Sequence, residues 1–292
     1  MNPWAGYPVP PMRHEALHGD RVVRCFVGRP GSLLAMFEQS HLQAPTHDAM
    51  VFEGRRWSYD ALAQSASRLS GQLAAQGLQA GDRVVLLLSN RPEFITVLLA
   101  LQHLGAIAVP VGVREQRPGL AYIAQQCGAR GIVFDQALVE RVPLPDEAPA
   151  LVVRLGAESL DTLPAGARPP TPAGAETDTA VILYTSGTTG RPKGAMLTQL
   201  NIVHSALHYE ACMQLQRGDR SALAVPASHV TGLVAVIAAM WRVAGCVVVV
   251  PEFKADAFVA LLVAERVTHT VMVPAMYKLC LMTQAMSPGR CV

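Results

Sequence analysis

Charged side chains are scarce in this sequence of 292 residues, at 16% against about 25% in an average soluble domain. Disordered chains are rich in charge and poor in apolar residues, whereas this chain is 51% apolar, so disorder is excluded as its main state. The formal net charge is only +2 and no basic block is present, which gives no indication of nucleic-acid binding. The length allows one large α/β unit or two modest domains.

Paired cysteines are also missing, because none of the six cysteines has CxxC spacing. The spacing therefore indicates neither a zinc site nor a disulfide framework, and it is typical of the reducing cytoplasm, where we expect the protein. The first residues carry no apolar run behind a basic start, unlike a signal peptide. Residues 221–241 lack charge, but Pro226, His229 and Gly232 interrupt them, and a membrane span needs ~20 predominantly apolar residues. We expect no transmembrane segment.

From about residue 32 the apolar pattern becomes regular and predicts alternating strands and helices. A hairpin is expected from strands 48–52 and 56–59. Ser58 then caps a helix that Gly77 ends. Further strands are predicted at 84–88, 106–109 and 131–134, and further helices at 92–105 and 118–127. The first of these runs is continuously apolar, which is typical of a strand covered on both faces.

Residues 160–178 are rich in proline, alanine and glycine without any period, which indicates a linker or a long surface loop. Beyond it, strands are predicted at 180–185, 246–250 and 268–273, and helices at 198–209, 256–265 and 275–283. Strands that alternate with helices favour an α/β fold with doubly wound, mainly parallel sheets. Residues 1–28 have two proline-rich clusters and no sustained period, and we interpret them as an N-terminal extension.

A loop rich in glycine and hydroxyl residues follows strand 180–185 directly. Its candidate ligand-binding residues are Thr185, Ser186, Gly187, Thr188, Thr189, Gly190, Lys193 and Gly194. Glycines let the backbone turn its N–H groups toward an anion, and hydroxyls add donors to phosphate oxygens. Lysine adds a mobile positive charge that suits phosphate. The alternative is an ordinary surface turn, since Gly, Thr, Ser and Pro are common turn residues.

Lysine usage favours phosphate binding over the surface turn. Only three of the 24 basic residues are lysines, namely Lys193, Lys254 and Lys278. A sequence that has arginine at almost every basic position has lysine in this loop. The loop does not match the GxxxxGK[ST] pattern of P-loop NTPases, because Gly194 follows Lys193. We therefore expect phosphate in a flexible hairpin and not at a helix N-terminus.

The string YTSGTTGRPKGAM, residues 184–196, closely resembles the signature of the adenylate-forming superfamily, which comprises acyl- and aryl-CoA synthetases, luciferases and the adenylation domains of peptide synthetases. The resemblance implies that this loop holds the phosphates of ATP, accompanied by Mg²⁺, while a carboxylate attacks the α-phosphorus. It implies ATP-dependent activation of a carboxylic acid to an acyl-adenylate, followed by thioester formation with coenzyme A. Lys193 is then a candidate catalytic residue.

A second segment, PASHVTGL at 226–233, resembles the P-x-x-H-x-x-G-L segment of the same superfamily, which lies between the acyl pocket and the nucleotide. Taken alone, His229 on an apolar stretch is more often a satisfied core histidine. Its position 36 residues after Lys193 follows the order in that family. The resemblance therefore makes His229 the second candidate catalytic residue.

The resemblance extends over residues 29–287 and implies a partial AMP-binding domain: a truncated large N-terminal domain in two packed subdomains, with the small C-terminal domain absent. The glutamate segment that holds magnesium, the Thr-Gly-Asp segment that binds ribose and the C-terminal lysine of the family are not found. Gln199 lies where the family commonly has histidine. We therefore assign no metal ligand, expect little activity from this chain alone, and expect self-association through an exposed core.

The absence of acidic side chains near His229 narrows the class of carboxylic acid that can be the substrate. Peptide-synthetase adenylation domains hold the α-ammonium group with an aspartate near the histidine segment, and residues 221–241 contain no acidic side chain. Burying an unpaired ammonium group is costly, so a fatty or aromatic acid is favoured. Two alternatives stay open: a truncated non-catalytic protein that binds a nucleotide or a partner, and an unrelated phosphate-binding α/β protein.

Overall fold

In the computed structural model, which describes residues 10–17, 19, 21–167, 174–185 and 191–283, strands and helices alternate along most of the chain. The strands are β1 (Met12–Ala16), β2 (Val22–Phe26), β3 (Asp48–Phe52), β4 (Arg55–Ser58), β5 (Arg83–Leu87), β6 (Ile107–Pro110), β7 (Ala129–Phe134), β8 (Val153–Gly156), β9 (Thr179–Thr185), β10 (Lys193–Thr198), β11 (Arg220–Leu223), β12 (Cys246–Val249) and β13 (His269–Thr270). The α-helices are α1 (Leu33–Gln43), α2 (Tyr59–Ala75), α3 (Pro92–Leu104), α4 (Arg117–Cys127), α5 (Gln199–Met213), α6 (Ala239–Arg242), α7 (Ala255–Ala264) and α8 (Pro274–Leu281). Two 3₁₀-helices lie at Gln136–Arg141 and Ala157–Thr162, and a π-helix at Thr231–Ala238 leads into α6.

The first sheet has six strands in the order β10-β9-β6-β5-β7-β8. Its strands are parallel except β10, which pairs antiparallel with β9 at the edge. Side chains of β5 alternate between two cores: Val84 and Leu86 pack in the core that contains α3, and Val85 and Leu87 pack in the core that contains α4. Helices therefore cover both faces of this sheet, which confirms the predicted doubly wound arrangement and explains the continuous apolar run of β5.

The second sheet has five strands in the order β13-β11-β12-β3-β4, all parallel except β4. The β3–β4 hairpin turns on Glu53 and Gly54, which both have positive φ, 47° and 78°, as a two-residue type I′ turn requires. α2 starts at the Ser58 cap, whose side chain accepts the N–H of Ala61. One large core joins this sheet, α1, α2, α3, the π-helix and the first sheet.

The structure differs from the sequence-based expectation at several elements. Those not predicted include α1, β8, β10, β11, the π-helix and α6, and strand 268–273 shortens to the two residues of β13. The predicted extension contains the antiparallel hairpin β1–β2, whose Phe26 is buried against His204 and His208 of α5. Arg13, His14 and Glu15 in β1 and Arg24 in β2 interrupt the apolar pattern of these strands, which is why periodicity does not reveal them.

Most of the uncharged stretch 221–241 is buried, and Pro226, His229 and Val230 are its exposed residues. It comprises β11, a turn, the π-helix and the start of α6, and its residues from Gly232 to Trp241 are buried. Trp241 and Ile237 have no exposed surface. Within the described ranges, no helix has both the length and the apolar character that crossing a membrane requires.

Candidate active site

The predicted phosphate loop connects two paired strands, β9 and β10. Lys193 lies directly opposite Thr185, and Gly194 lies opposite Tyr184. Ser186, Gly187, Thr188, Thr189 and Gly190 lie outside the described residues. Lys193 and Thr185 are both exposed at the base of the loop, and within the described part of the chain no acidic side chain pairs with Lys193. The structure therefore brings Thr185, Lys193 and Gly194 together, with the lysine charge available to an anion.

Gly194 has a packing role besides the role predicted for it. A Cβ atom at this position would lie 2.8 Å from Cγ2 of Ile182 and 3.2 Å from Cζ of Tyr184. The Tyr184 ring therefore lies directly against the glycine on the neighbouring strand. Any side chain at position 194 would push the two strands apart at the base of the loop.

Helix α4 supports this hairpin from one side. The Tyr122 hydroxyl donates to the Pro192 carbonyl at 3.4 Å, and the Arg191 guanidinium lies 5.6 Å from the centre of the Tyr122 ring. The Tyr184 hydroxyl donates to Oε1 of Gln126, and burial raises the pKa of Tyr184, so it stays a donor at neutral pH. These contacts fix the strand that carries Lys193. Nothing in the sequence pattern pointed to them.

The segment Pro226–His229 forms a tight turn between β11 and the π-helix. The His229 N–H donates to the Pro226 carbonyl at 3.1 Å. A Cβ at Gly232 would lie 2.4 Å from the Pro226 carbonyl oxygen, so only glycine permits this approach of the π-helix. His229 is exposed, and the alternative of a satisfied core histidine is therefore wrong.

Asn90 links this turn to the first sheet. It follows β5, and its Oδ1 accepts the N–H of Ala227 at 2.8 Å. Its Nδ2 faces three carbonyl oxygens: those of Leu223 at 3.1 Å, Val225 at 3.0 Å and Val250 at 3.2 Å. One side-chain amide thus contacts the carboxyl ends of β11 and β12 and the first residues of the His229 turn.

The two predicted halves of the site lie at carboxyl ends of parallel strands. The phosphate loop follows β9, which runs parallel to β6, and the His229 turn follows β11, which runs parallel to β12. Ligands of open α/β sheets bind at this end of the strands. Among the described residues, no three histidine, cysteine, aspartate or glutamate side chains form a group that could hold a metal ion.

Comparison with known proteins identifies a family match over most of the chain. Residues 37–289 match the family model described as AMP-binding enzyme. A feruloyl-CoA synthase from Amycolatopsis sp is 32% identical over 236 residues, which are 80% of this chain and 47% of that protein. A long-chain-fatty-acid–CoA ligase, FadD13, from Mycobacterium tuberculosis is 31% identical over 227 residues, which are 75% of this chain and 45% of that protein. The chain spans about half the length of these curated relatives.

Solved structures agree on the fold. The inhibitor-bound N-terminal domain of FACL13 from Mycobacterium tuberculosis matches with a TM-score of 0.78 and 28% identity, over 87% of this chain and 66% of that chain. The o-succinylbenzoate coenzyme A synthetase MenE from Bacillus subtilis, in complex with ATP and magnesium ion, matches with a TM-score of 0.76 over 85% of this chain and 66% of that chain. At 24% identity the second match shows the fold alone.

Proposed function

The chain belongs to the AMP-binding enzyme family, and from this premise we propose that it is part of an enzyme that activates a carboxylic acid with ATP. The carboxylate oxygen attacks the α-phosphorus, the bond to the β-phosphate oxygen breaks, and acyl-adenylate and pyrophosphate result. The thiol of coenzyme A then displaces AMP and forms the thioester. The relatives named as CoA synthase and CoA ligase support this acceptor.

The observation that carries the proposal is the position of Lys193. It lies opposite Thr185 at the base of the glycine-rich loop, exposed and without an acidic partner in the described part of the chain. A compact ammonium group in this position neutralises phosphate charge as the α-phosphorus is attacked, which is the main catalytic requirement of phosphoryl chemistry. The Thr185 hydroxyl adds a donor beside it, and the loop residues 186–190 supply backbone N–H groups in this proposal.

On the acyl side, the proposal assigns His229 to the boundary between the acid and the nucleotide. His229 is exposed at the carboxyl end of β11, where a substrate can reach it. The absence of acidic side chains from 221–241 disfavours an α-ammonium group. The relatives are named for ferulate and for long-chain fatty acids, and we propose a fatty or aromatic acid as substrate.

Magnesium would enter as a complex with ATP. The described residues offer no cluster of ligands for the ion, and we assign it no protein ligand and no step here. The cytoplasm stays the proposed location, in keeping with the unpaired thiols of the cysteines that lie in the described part of the chain, at positions 25, 127, 212, 246 and 280.

The proposed function is tested by calorimetric titration of Mg-ATP and of AMP into the 292-residue protein. Saturable binding of one nucleotide per chain is expected. GTP is the control, because the phosphates are the same and only the base differs. No detectable binding of either adenine nucleotide at millimolar concentration would contradict the proposal.

A further inference from the structure

Asn90 connects the two sheets, because its main chain follows a strand of the first and its side chain bonds to the second. Its backbone belongs to the first sheet, three residues after the end of β5. On either side of it, the Ser89 N–H donates to Oδ2 of Asp135 at 2.8 Å and the Arg91 guanidinium donates to Oδ1 of Asp135 at 2.8 Å. Asp135 directly follows β7 and is buried. The main chain at Asn90 is therefore fixed to the first sheet.

Within the described ranges, its side-chain amide bonds only to the second sheet and the turn that follows it. Nδ2 lies within hydrogen-bond distance of the carbonyls of Leu223, Val225 and Val250, and Oδ1 accepts the Ala227 N–H. The Leu223 carbonyl also accepts the Val250 N–H at 3.1 Å. These contacts fix the orientation of the amide, because the two N–H groups of Nδ2 can only donate and Oδ1 can only accept. All four partner residues are buried, so none of these backbone groups can exchange this partner freely for water.

The turn that Asn90 holds is the one that presents His229. Ala227 is fixed through its N–H by Asn90, and Pro226 is fixed from the other side by its close contact with Gly232. His229 follows Ala227 by two residues and is exposed. A shift of Ala227 would therefore move His229 relative to the first sheet, which carries Lys193.

We propose that Asn90 is a positioning residue that sets the His229 turn against the first sheet and so shapes the site for the carboxylic acid. The inference rests on the proposed function. Among the described residues of the β9–β10 hairpin Asn90 has no hydrogen-bond partner, so its loss should affect recognition of the acyl group more than recognition of the nucleotide phosphates. A residue that only stabilised the fold would affect both ligands alike.

The experiment compares Asn90→Ala with Gln72→Ala in the 292-residue protein. Gln72 is a matched control, because its buried amide donates to the Leu163 carbonyl at 2.7 Å, lines the same cleft as Asn90 and does not contact residues 226–233. Two kinds of ligand are titrated: Mg-ATP, and acyl-sulfamoyl adenosines that carry a benzoyl or a dodecanoyl group. Hydrogen–deuterium exchange of the peptide that covers 226–233 is measured without ligand.

For Asn90→Ala we expect about tenfold or more weaker binding of the acyl-sulfamoyl adenosines and a change of less than about twofold for Mg-ATP. Exchange in 226–233 should rise in this variant and stay unchanged in Gln72→Ala. If Asn90→Ala does not fold, Asn90→Gln replaces it, since its amide keeps the same donors and acceptor but lies one methylene further from the main chain. Partial protection of 226–233 is then expected.

Equal weakening of both ligands in Asn90→Ala would overturn the inference, as would the same loss of acyl-adenylate analogue binding in Gln72→Ala. Unchanged exchange in 226–233 would also overturn it. A wild-type protein that binds neither ligand would contradict the proposed function instead. The exchange measurement would then still decide whether Asn90 positions the His229 turn.

Discussion

Lys193 lies directly opposite Thr185 in the antiparallel pair of β9 and β10, at the last paired position before the glycine-rich loop. The pairing fixes both ends of the loop, because the strands themselves are held by the first sheet and by α4. A lysine in this position has little packing to lose and a charge that no acidic side chain of the described residues neutralises. Its substitution therefore separates phosphate binding from folding.

Lys193→Ala should weaken Mg-ATP binding about tenfold or more, because a charge-assisted hydrogen bond contributes about 1.5–3 kcal/mol. The free energy of unfolding should change little. Lys193→Arg should restore binding only in part, since a planar guanidinium does not replace a compact ammonium in a tight loop. Calorimetric titration of Mg-ATP measures all three proteins.

The control for this series is Lys254→Ala. Lys254 is an exposed lysine whose Nζ lies 2.7 Å from Glu252, away from the loop. The Lys254→Ala variant should bind Mg-ATP with the affinity of the wild type. Equal affinities of all four proteins would mean that the loop is an ordinary surface turn, and the functional proposal would then rest on family membership alone.

Local sequence signals predicted the elements that depend on local interactions. The Ser58 cap predicted the start of α2, and the structure has this cap and buries Leu62, Ala66, Leu69 and Leu73 along one face of the helix. Pro92 and Gly105 similarly delimit α3, where Gly105 has φ of 71°. Here the deciding contacts lie within a few residues of each other.

Contacts between distant segments could not be predicted in this way. Asn90 bonds to Ala227 across 137 positions and to Val250 across 160, and no periodic pattern records such a pairing. Tyr122 supports the loop strand across 70 positions, although its helix was predicted. The Lys193 loop was recognised from its glycine and hydroxyl residues and its rare lysine, whereas the His229 segment was found only because its string resembles a known family, and the roles of both stay predictions.

Gly194→Ala should destabilise the protein, although alanine adds the smallest possible side chain at this position. The new Cβ would lie 2.8 Å from Ile182 and 3.2 Å from the Tyr184 ring, and overpacking of this kind costs about 1–3 kcal/mol. Because the strands separate at the base of the loop, Mg-ATP binding should weaken as well. Urea unfolding and calorimetry measure the two effects. Ala195→Ser, at the exposed neighbouring position, should change neither, and a fully stable Gly194→Ala would refute the packing role.

The N-terminal hairpin should loosen in acid. Hydrogen bonds from Arg29, and then from Arg13, lower the pKa of Glu15 from 4.5 to about 2. A carboxylate with a lowered pKa stabilises the fold above its unfolded pKa, and this contribution is lost as the pH falls from about 4.5 toward 2. Glu15→Gln should therefore lower the melting temperature at pH 7, and its difference from wild type should shrink across this window.

The control for the acid prediction is Glu38→Gln. Glu38 is exposed on α1 and has no ion pair within the described ranges. The melting temperature of Glu38→Gln should differ little from that of the wild type at pH 7 and at pH 2.5. A Glu15→Gln deficit that stayed constant down to pH 2.5 would show that the Arg29 contact does not stabilise the hairpin.

The 292-residue protein should show little or no carboxylate-dependent exchange of labelled pyrophosphate into ATP. The family's magnesium, ribose and C-terminal lysine segments are not found in its sequence, and loss of several positioning groups costs many powers of ten in rate. A panel of fatty and aromatic acids serves as substrate, and a longer relative such as the feruloyl-CoA synthase serves as positive control. Robust exchange would show that these segments are dispensable or replaced.

Self-association is the last expectation, and it follows from the apolar surface near α8. Leu279 and Leu281 are 49% and 68% exposed, and Val273, Tyr277 and Met282 beside them are also exposed. Among the described strands, the neighbouring β13 pairs only with β11 and forms the edge of the second sheet. Exposed apolar side chains beside an unpaired strand edge favour association.

We expect the protein to form dimers or larger species at concentrations of tens of micromolar and above, measured by light scattering. The double variant Leu279→Glu and Leu281→Glu should shift it toward the monomer without lowering its melting temperature, because both side chains are already half or more exposed. Leu42→Glu is the control: Leu42 is 81% exposed on α1, outside this surface, and its charge should leave association unchanged. A wild-type protein that stays monomeric at high concentration would show that this surface does not drive association. If Leu42→Glu dissociated the protein as much as the double variant did, added negative charge and not the surface near α8 would explain the effect.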